Sequence, residues 1–393
     1  MRILKVIHGF PPDYMAGSEV YSYHLVKELI KQEIETFVFT RVENEFDDNY
    51  KIYNEKFENI NIRRVNKPKK DYLYEDKFYD ENIDKIFEEY LLEIMPNIVH
   101  IGHLSHLSTN IIAIIKKYNI PIVYTIHDFW LYCIKGQMIN QNGEICSNPS
   151  VENCLACSNY VVNKNKIQNS FSHMQKMINE INIFISPSKT LKHFFIEQGI
   201  EAEKIRYLKY GFNTNKITYN KKEFTKNSKI NFGFMGRVIP TKGIKVLVDV
   251  FKEFPNEVLS IYGNIGVQKR FLETKNIKFK GAYNNNTIND VLNDIDVLIV
   301  PSTWYENAPL VIQEAFLAGI PVITSNIGGM AELVENNVNG FTFKVGNSEE
   351  LKNIILNISN NPTSLNKLQN FRDNVVDIED DVKAIIKIYK ELI

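Results

Sequence analysis

Short apolar runs alternate with amphipathic stretches along most of this sequence. The first run, residues 3–7, is rich in branched residues and does not alternate between apolar and polar positions. A strand with two apolar faces is typical of a parallel sheet that helices cover on both sides. The predicted strands cover residues 3–7, 36–40, 97–101, 122–126, 183–186, 230–235, 258–262, 277–280, 297–300 and 322–324. This repeated strand–helix order predicts an α/β protein.

A polar stretch at residues 214–228 interrupts the repeat, because it lacks a hydrophobic period and contains few core residues. We interpret it as a linker between two domains. The first domain covers residues 1–213 and includes a cysteine cluster at 133–157, and the second covers 229–376. Residues 377–393 are predicted to form a last helix that crosses back to the first domain. Two such domains in succession are expected to leave a cleft between the carboxyl ends of their strands.

Charge and composition narrow the possible classes of function. The chain of 393 residues has 46 Lys and Arg against 47 Asp and Glu, a formal net charge of −1. This balance gives no overall attraction to nucleic acid, so no nucleic-acid partner is expected. No segment has the run of about 20 apolar residues that crosses a bilayer, and the first residues do not resemble a signal peptide. We expect a cytoplasmic protein and leave open peripheral association with the inner face of a membrane.

The most specific signal begins where the predicted strand 297–300 ends. The sequence there reaches Ala308 and Pro309, followed by Leu310 and Val311. Proline is favoured in the first turn of a helix, so we predict that a helix begins at Pro309. The free N–H groups of Leu310 and Val311 would then point out of the helix N-terminus, which is a place where phosphate binds well.

Two glutamates, Glu306 and Glu314, flank this helix start. Carboxylates on both sides of an anion site suit a ligand with hydroxyl groups on both sides of a phosphate, as a nucleotide sugar has. The alternative is that Glu306 is an ordinary acid at the helix N-terminus and that Glu314 is a solvated helix residue. The pair alone does not decide between these interpretations.

Two cations follow another predicted strand, where Gly236 is followed by Arg237 and, five residues later, by Lys242. Such a pair can neutralise a diphosphate leaving group, although either residue alone would be an ordinary surface charge. Gly263 lies at a third strand end, and Tyr283 follows a fourth, where its ring could stack on a base. Together with the predicted helix N-terminus, these residues outline a nucleotide site.

These motifs resemble the retaining glycosyltransferases of family four, also called group 1, which have the GT-B fold. The resemblance spans nearly the whole chain and implies two Rossmann-like parallel-sheet domains that face each other across a cleft. It implies that Arg237 and Lys242 bind the donor diphosphate. It further implies that Glu306 faces the donor sugar and that Glu314 holds the nucleotide ribose.

The first half resembles the same family through a glycine loop after the first strand. Gly17 follows Ala16 at a place where the family often has two adjacent glycines. The resemblance implies that the backbone at Gly17 approaches the donor phosphate. Ser18 is the expected N-cap of the first helix, because serine side chains accept hydrogen bonds from the first free N–H groups.

His127 follows the predicted strand 122–126. In the resembling enzymes a histidine at this place contacts the donor sugar near the reaction centre, which would make His127 a catalytic residue. The alternative is a histidine that is hydrogen-bonded to the backbone at the strand end. We interpret His103 and His106 as structural or acceptor-side residues and assign them no role.

Asp294 and Asp296 form an Asp-x-Asp sequence, which is the metal-binding signature of the other main glycosyltransferase fold. They lie between a predicted helix and the amino end of the strand 297–300. This is the wrong end of the strand for chemistry in the cleft, so we do not expect them to bind a metal. Cationic side chains and a helix N-terminus can replace a catalytic metal, and none is expected.

All four cysteines, Cys133, Cys146, Cys154 and Cys157, lie in one short segment. Four thiolates close together in a cytoplasmic chain suit tetrahedral zinc. An iron–sulfur cluster and metal-free buried thiols are the alternatives. Similar cysteine insertions follow the corresponding strand in a subset of the resembling enzymes. We predict a structural zinc that holds this loop and takes no part in the reaction.

The predicted function is transfer of a sugar from a UDP-, GDP- or ADP-sugar to a hydroxyl group, with retention at the anomeric carbon. By resemblance, the acceptor is a saccharide or a lipid-linked saccharide, and the role lies in surface polysaccharide or glycoconjugate synthesis. The alternatives are a nucleotide-sugar epimerase or phosphorylase of the same fold and a non-catalytic nucleotide-sugar-binding protein. A dinucleotide-dependent oxidoreductase is excluded, because no G-x-G-x-x-G follows the first strand.

Overall fold

The structure, a computed structural model, describes residues 1–67, 77–264, 274–284, 286–368 and 371–393. The chain divides into two units. The first contains Met1–Phe212 together with Asp377–Ile393, and the second contains Asn213–Val376. Each unit is built on its own large sheet.

The first unit contains eight strands in one sheet, with six described helices in the chain segment up to residue 212. The strands are β1 (Arg2–Ile7), β2 (Glu35–Val42), β3 (Ile52–Phe57), β4 (Ile60–Asn66), β5 (Ile98–His103), β6 (Ile122–Thr125), β7 (Ile183–Ser186) and β8 (Ile205–Tyr207). The helices are α1 (Gly17–Lys31), α2 (Glu81–Ile94), α3 (Ile111–Lys117), α4 (Val151–Cys157), α5 (Lys164–Asn179) and α6 (Lys189–Glu197). The spatial order is β3-β4-β2-β1-β5-β6-β7-β8, so the buried runs of β1 and β5 lie near its centre.

The edge strand β3 departs from the all-parallel sheet that the sequence predicts, because it runs antiparallel to β4. Glu58 and Asn59 turn the chain between the two strands, with φ of 45° and 69°. The sequence predicts neither strand. The reason is clearest for β3, whose side chains are exposed or half-buried throughout and therefore form no apolar run.

The second unit contains a six-stranded parallel sheet in the order β12-β11-β10-β13-β14-β15. After β9 (Gly211–Phe212), which ends the first segment of the first unit, the sheet strands are β10 (Asn231–Met235), β11 (Val258–Tyr262), β12 (Ile277–Gly281), β13 (Val297–Val300), β14 (Val322–Ser325) and β15 (Gly340–Phe343). The described helices are α7 (Ile244–Lys252), α8 (Ile288–Asp294), α9 (Leu310–Ala318), α10 (Gly328–Leu333) and α11 (Ser348–Asn360). The five strands predicted in this region agree with β10 to β14 to within one residue. Only β15 is missed.

The chain returns through β16 (Val376–Asp377) and ends in α12 (Ile378–Leu392), which belongs to the first unit. A buried carboxylate fixes this helix, because Asp381 Oδ2 accepts hydrogen bonds from the Tyr21 hydroxyl at 2.8 Å and the Gly211 N–H at 2.9 Å. None of the helices in the described ranges is long and apolar enough to cross a bilayer.

Residues 214–228, which the sequence analysis interprets as a linker, are part of the second unit. Lys222 Nζ donates to the carbonyl oxygens of Asn293 at 2.7 Å and Ile295 at 3.1 Å, and it pairs with Asp296 at 2.7 Å. A lysine is favourable at a helix C-terminus, where carbonyl groups lack partners. The segment packs through polar contacts, which a search for hydrophobic periodicity does not detect.

Candidate active site

The carboxyl edge of the second sheet carries the residues that the sequence analysis singles out. Because its strands are parallel, the loops that follow them leave the same edge. Strand β10 lies between β11 and β13, so the loop with Arg237 and Lys242 is next to the loop with Glu306. Gly263 and Tyr283 follow β11 and β12 on this edge.

Glycines continue the hydrogen-bonded ladder past these strand ends. The N–H of Gly236 donates to the Tyr262 carbonyl oxygen at 2.9 Å, and the N–H of Gly263 donates to the Gly281 carbonyl oxygen at 2.8 Å. The edge therefore presents backbone without side chains at three neighbouring positions. Such a surface lets a ligand approach the backbone closely.

Glu306 is held by three hydrogen bonds to a single carboxylate oxygen. Lys242 Nζ donates to Glu306 Oε1 at 2.5 Å, the Ser302 hydroxyl at 2.7 Å and the Trp304 indole N–H at 3.1 Å. Three donors on one oxygen fix the orientation of the carboxylate. Ser302 and Trp304 were not singled out from the sequence, although they lie within four residues of Glu306.

Arg237 differs from Lys242 in its surroundings. Its side chain is exposed, and within the described ranges its guanidinium forms no hydrogen bond or ion pair. The Lys242 ammonium is neutralised by Glu306, whereas the Arg237 charge is available to a ligand. A guanidinium binds phosphate oxygens in pairs, so Arg237 is the stronger candidate for a diphosphate contact.

Gly243 allows the turn that contains Lys242 to pack closely against Pro301, the residue that follows β13. With φ of 71°, its backbone is left-handed, and a Cβ at this position would lie 1.8 Å from the Pro301 carbonyl oxygen. A hydrogen bond from the Thr303 N–H to the Thr241 carbonyl oxygen, at 2.9 Å, joins the two loops. Only glycine permits this approach, which places Lys242 within reach of Glu306.

A second glycine supports the same loop from the other side. The N–H of Gly329, at the start of α10, donates to the Glu306 carbonyl oxygen at 2.7 Å. A Cβ on Gly329 would lie 1.5 Å from the Asn307 carbonyl oxygen. The backbone of the Glu306 loop is therefore held between two neighbouring loops and cannot move independently of them.

Helix α9 begins at Leu310, one residue later than predicted, and Pro309 is its N-cap residue. Ala308 precedes it in the loop. Along the part of the chain that the structure describes, the N–H groups of Leu310 and Val311 have no hydrogen-bond acceptor. Together with the helix dipole, these two donors form an anion site at the helix N-terminus.

Glu314, inside α9, is half-buried, and burial raises the pKa of its carboxyl to about 7. Tyr283 lies near it, since the pKa of the Tyr283 phenol is raised by burial and, in addition, by the Glu314 charge. A carboxyl with this pKa can accept hydrogen bonds from hydroxyl groups in its ionised form. An aromatic ring beside it offers a stacking surface.

In the first unit, Gly17 is exposed and is the first residue of α1. The N-cap prediction for Ser18 is wrong. Ala16 occupies the N-cap position without a side-chain hydrogen bond, and the Ser18 hydroxyl donates to Glu19 Oε2 at 2.7 Å instead. The helix starts earlier because glycine accommodates the turn, while Ser18 is already helical.

The ring nitrogens of His127 lie inside the first unit. Nδ1 contacts the hydroxyl of the buried Tyr210, and Nε2 is buried as well. Burial, followed by the charges of Lys5, His103 and His8, holds the pKa of His127 well below its usual value. The imidazole is therefore neutral, and a nitrogen would face solvent only if the ring turned.

A row of carboxylates and imidazoles lies at the carboxyl ends of β1, β5 and β6, and the sequence analysis assigned it no role. Glu19 Oε1 lies 3.2 Å from His8 Nε2, and the His8 ring lies 4.4 Å from the His103 ring. His103 Nε2 lies 3.3 Å from Asp128 Oδ2. Burial acts to raise the pKa of Glu19, but the hydrogen bond and charge of His8, with further hydrogen bonds from Ser18 and the backbone, lower it to about 2. The residues are too far apart in sequence for spacing to reveal the row.

Two family profiles match the chain once these features are compared with known proteins. Glycosyl transferases group 1 matches residues 215–375, and Glycosyltransferase Family 4 matches residues 15–216, which is more than half of the chain. The chain belongs to glycosyltransferase family 4. It is therefore a glycosyltransferase.

The chain is also similar to individual proteins. An uncharacterized 42.6 kDa protein in the cps region of Klebsiella pneumoniae is 22% identical, over 85% of this chain and 87% of that protein. The Escherichia coli UDP-Gal:alpha-D-GlcNAc-diphosphoundecaprenol alpha-1,3-galactosyltransferase is 33% identical, over 26% of each chain.

Among solved structures, sucrose-phosphate synthase from Thermosynechococcus elongatus has a TM-score of 0.73 at 17% identity and covers 100% of this chain and 98% of its own. Anabaena Alr3699/HepE in complex with UDP and glucose has a TM-score of 0.69 at 17% identity, with 99% of each chain covered. These likenesses confirm the predicted GT-B fold.

The Asp-x-Asp sequence of this glycosyltransferase lies at the amino end of β13 and is engaged in structural contacts. Asp294 contacts the Tyr262 hydroxyl and lies 3.2 Å from Lys280 Nζ. Asp296 accepts a hydrogen bond from the Asn231 N–H at 2.8 Å and also pairs with a lysine of the 214–228 segment. Asp294 thus contacts residues of β11 and β12, and Asp296 connects β10 to the 214–228 segment.

The prediction of a structural zinc is not supported. In the described part of the chain, no group of three or more His, Cys, Asp or Glu side chains is arranged to hold a metal ion. Cys133, Cys154 and Cys157 are buried and Cys146 is half-buried, all as free thiols. Cys154 and Cys157 pack with Ile134 and Ile167 in an apolar cluster, and burial raises the pKa of Cys154 to about 12. Such an environment favours the neutral thiol over the thiolate that a metal binds.

Proposed function

We propose that this family 4 enzyme transfers a sugar from a nucleotide-diphosphate donor to a hydroxyl acceptor with retention of configuration. The observation that carries the proposal is the anion site of the second unit. Neighbouring loops supply its parts, namely Arg237, the Lys242–Glu306 pair and the N–H groups at the start of α9. Among the described residues, Arg237 and these N–H groups have no partner. A diphosphate is an anion that fits such a set of donors.

The proposed mechanism is a front-face displacement. The bond between the anomeric carbon and the diphosphate oxygen breaks, and its electron pair leaves with the diphosphate. The acceptor oxygen forms the new bond on the same face, and its proton passes to the departing phosphate oxygen. Arg237, Lys242 and the helix N-terminus stabilise the charge that develops on the leaving group.

Glu306 and Glu314 are assigned to the two sides of the diphosphate. Glu306, fixed by three donors on one oxygen, is placed toward the donor sugar. Glu314, with Tyr283 beside it, is placed toward the ribose and base. The donor-sugar contact that the family resemblance gives to His127 requires its ring to turn, or a contact through its backbone.

The donor proposed first is a UDP-sugar, because Anabaena Alr3699/HepE is described in complex with UDP-glucose and the E. coli relative is named for UDP-Gal. GDP- and ADP-sugars are the alternatives. The proposed acceptor is a saccharide linked to a lipid diphosphate, in line with that relative's name. Relatives from a cps region and from amylovoran biosynthesis support a role in surface polysaccharide synthesis. Such an acceptor would bring the enzyme to the inner face of the membrane.

A thermal-unfolding screen against UDP-, GDP- and ADP-sugars tests the proposal, because a ligand that binds the folded state raises the melting temperature. One nucleotide class should stabilise the protein clearly more than the others, and its sugar should then appear in a product when acceptor is added. Conversion of the nucleotide sugar without acceptor would indicate an epimerase instead. Binding without any turnover would indicate a non-catalytic binding protein.

Replacing Glu306 by glutamine is expected to reduce kcat by at least about tenfold while changing donor affinity little, because the charge opposite Lys242 is lost at the reacting sugar. Steady-state kinetics of Glu306→Gln checks this. Glu335→Gln, an exposed acid in the same unit, is the matched control and should behave as wild type. Equal kinetics for the two variants would place Glu306 outside the site.

UDP affinity is expected to increase as the pH rises through about 7, because burial raises the pKa of Glu314 to about 7. Ribose hydroxyls donate more strongly to the carboxylate than to the neutral acid, so UDP binds the ionised form better.

The effect of pH on the free energy of unfolding has the opposite sign. A folded-state pKa above the usual 4.5 means that stability from this group is lost as the pH rises from 4.5 to about 7.

Calorimetric titration with UDP at about pH 6, 7 and 8 measures this dependence. Glu314→Gln should bind more weakly at high pH and should show a flatter profile. A wild-type profile as flat as that of the variant would remove Glu314 from the ribose site.

A further inference from the structure

Lys5 is a fully buried lysine in the central strand β1, and it has no part in the proposed mechanism. The strand lies between β2 and β5, and the Lys5 side chain is 0% exposed. Among the described residues, its Nζ has no hydrogen-bond partner and no carboxylate pairs with it. Lysine is almost never fully buried unless it is paired. Its presence in the core therefore needs a physical reason.

The Lys5 side chain reaches toward the carboxyl edge of the sheet, where a glycine on β5 leaves room for it. Lys5 is paired in register with His100 on β5, and Gly102 lies two residues further along that strand. A Cβ on Gly102 would lie 3.3 Å from Lys5 Nζ and 3.3 Å from His127 Nε2. The two nitrogens therefore border the same space, which the glycine keeps open.

A second polar group lies at the other ring nitrogen of His127. Nδ1 contacts the Tyr210 hydroxyl, and the Tyr210 ring packs against that of Tyr21 on α1, with 4.2 Å between the ring centres. Tyr21 in turn donates a hydrogen bond to Asp381 of α12 at 2.8 Å. The imidazole of His127 thus lies between these tyrosines and the Lys5 amine.

The charge of Lys5 acts on this imidazole. Burial lowers the pKa of Lys5 to about 7. Among charged groups, Lys5 has the largest effect in lowering the pKa of His127, after burial itself. It acts in the same way on His100, whose ring contacts the hydroxyls of Thr125 at 2.7 Å and Tyr389 at 2.5 Å. A cation or an N–H donor opposite Nε2 favours the tautomer with the lone pair on Nε2 and the proton on Nδ1.

An unpaired amine in the core reduces the free energy of unfolding. Its removal from water costs free energy that no partner offsets, and an apolar side chain of similar volume is often neutral or stabilising at such a position. Side chains that cost stability in this way are typical of functional sites. Lys5 lies behind His127, at the carboxyl edge where ligands of α/β sheets bind, and this position fits a functional role.

We propose that Lys5 is a positioning residue for sugar transfer, which acts from beneath Gly102 on Nε2 of His127. With Lys5 opposite Nε2 and Tyr210 at Nδ1, the ring keeps one tautomer and one orientation. The chain that continues from His127 into Asp128 is thereby held in place at the edge of the sheet. This inference rests on the proposed function, in which His127 serves the donor sugar.

Lys5→Met removes the amine and keeps an unbranched side chain. It is expected to lower kcat by about tenfold or more with little change in the KM for the nucleotide sugar, because a misplaced group near the reacting atoms slows the chemical step. The loss should be absent in a His127→Ala background, since Lys5 acts through His127. Lys56→Met, at an exposed position of β3, is the matched control and should keep the wild-type kcat.

The state of the His127 ring can be measured without turnover. In proton–nitrogen correlation spectra of the full chain, His127→Gln identifies the signals of this ring. The wild-type ring should carry its proton on Nδ1, and in Lys5→Met it should shift toward the tautomer with the proton on Nε2.

Urea unfolding gives a second readout that is independent of turnover. At about pH 7, Lys5→Met should be at least as stable as the wild type. Between the folded-state pKa of about 7 and the ordinary 10.5, the unfolded wild type binds more protons at Lys5 than the folded protein, so its stability should rise with pH relative to Lys5→Met. His100, His127, Asp381 and the surrounding tyrosines are common to both proteins, so the difference belongs to Lys5.

Three results would overturn the proposal: an unchanged kcat in Lys5→Met, an unchanged tautomer of His127, or a loss of kcat that persists in the His127→Ala background. If Lys5→Met does not fold, Gly102→Ala decides the matter, because its Cβ enters the space between the two nitrogens and should alter kcat and the His127 spectrum in the same way. A wild-type protein that transfers no sugar but shows the expected spectra would refute the proposed function. Full transfer with unchanged spectra in Lys5→Met would refute the role of Lys5 alone.

Discussion

Replacing Arg237 by alanine is expected to slow sugar transfer by about 100-fold, as for other losses of a group that stabilises charge on a leaving group. The effect should be larger than that of most substitutions at this edge, because Arg237 is the cation of the anion site that no carboxylate in the described ranges neutralises. UDP affinity should fall with it, while uridine, which lacks phosphate, should bind nearly as before. Steady-state kinetics and calorimetric titration measure the two effects.

Lys252→Ala is the matched control for this variant, since Lys252 is an exposed cation of the same unit at the end of α7. It should retain wild-type turnover at the same ionic strength. Lys242→Ala should also slow transfer, but among the described residues it leaves Glu306 with Ser302 and Trp304 as side-chain donors. A turnover of Arg237→Ala equal to that of Lys252→Ala would mean that the diphosphate binds elsewhere.

Replacing Gly243 by alanine is expected to reduce the free energy of unfolding of the second unit by more than about 3 kcal/mol. The new Cβ would meet the Pro301 carbonyl oxygen at 1.8 Å, so the turn with Lys242 must separate from the loop with Glu306. The loss of the Lys242–Glu306 contact should also weaken UDP binding.

Gly346→Ala separates the two causes of this loss of stability, which are left-handed backbone strain and the steric clash with Pro301. Gly346 has φ of 72°, almost the same as the 71° of Gly243, but a Cβ there would meet no atom within 4 Å. Left-handed backbone strain alone costs about 1–2 kcal/mol, and this is the expected loss for Gly346→Ala. Urea unfolding of the two variants measures the difference. Equal losses would show that the approach of Gly243 to Pro301 does not constrain the fold.

The sequence predicts the strands of the second unit closely because their signal is local. The runs that became β11 and β13 are buried on both faces, and each ends at a glycine or proline. The segment 214–228 has no such signal, because it packs through Lys222, which reaches the end of a helix that is distant in sequence. Strand β3 is missed for a related reason, since its polar residues pair with β4 without forming an apolar run.

The anion site is also largely predictable, because its residues lie at strand ends and at a helix start. What the sequence does not reveal is how they are paired, namely that Lys242 is neutralised by Glu306 while Arg237 is not. Ser302 and Trp304 can be recognised as site residues only from the structure, which shows that both donate to Glu306 Oε1. Knowledge of tertiary contacts is needed for each of these points.

The cysteine segment shows the opposite case, in which a strong spacing pattern is not supported by the surroundings of the thiols. Four closely spaced cysteines suggest a metal site, yet Cys154 and Cys157 lie on α4 and pack into an apolar cluster. Residue spacing gives the distance along the chain but not the polarity around each thiol. Burial of this kind keeps a thiol protonated and is independent of the spacing.

The stereochemistry of the product tests the central claim most directly. Proton NMR can follow the reaction of the nucleotide sugar selected by the binding screen with an alkyl diphosphate-linked N-acetylglucosamine. For an α-linked donor such as UDP-glucose, the account predicts that the first glycoside formed has the α configuration and that UDP appears in equal amount. A β-glycoside as the first product, or consumption of the donor without any glycoside, would contradict it.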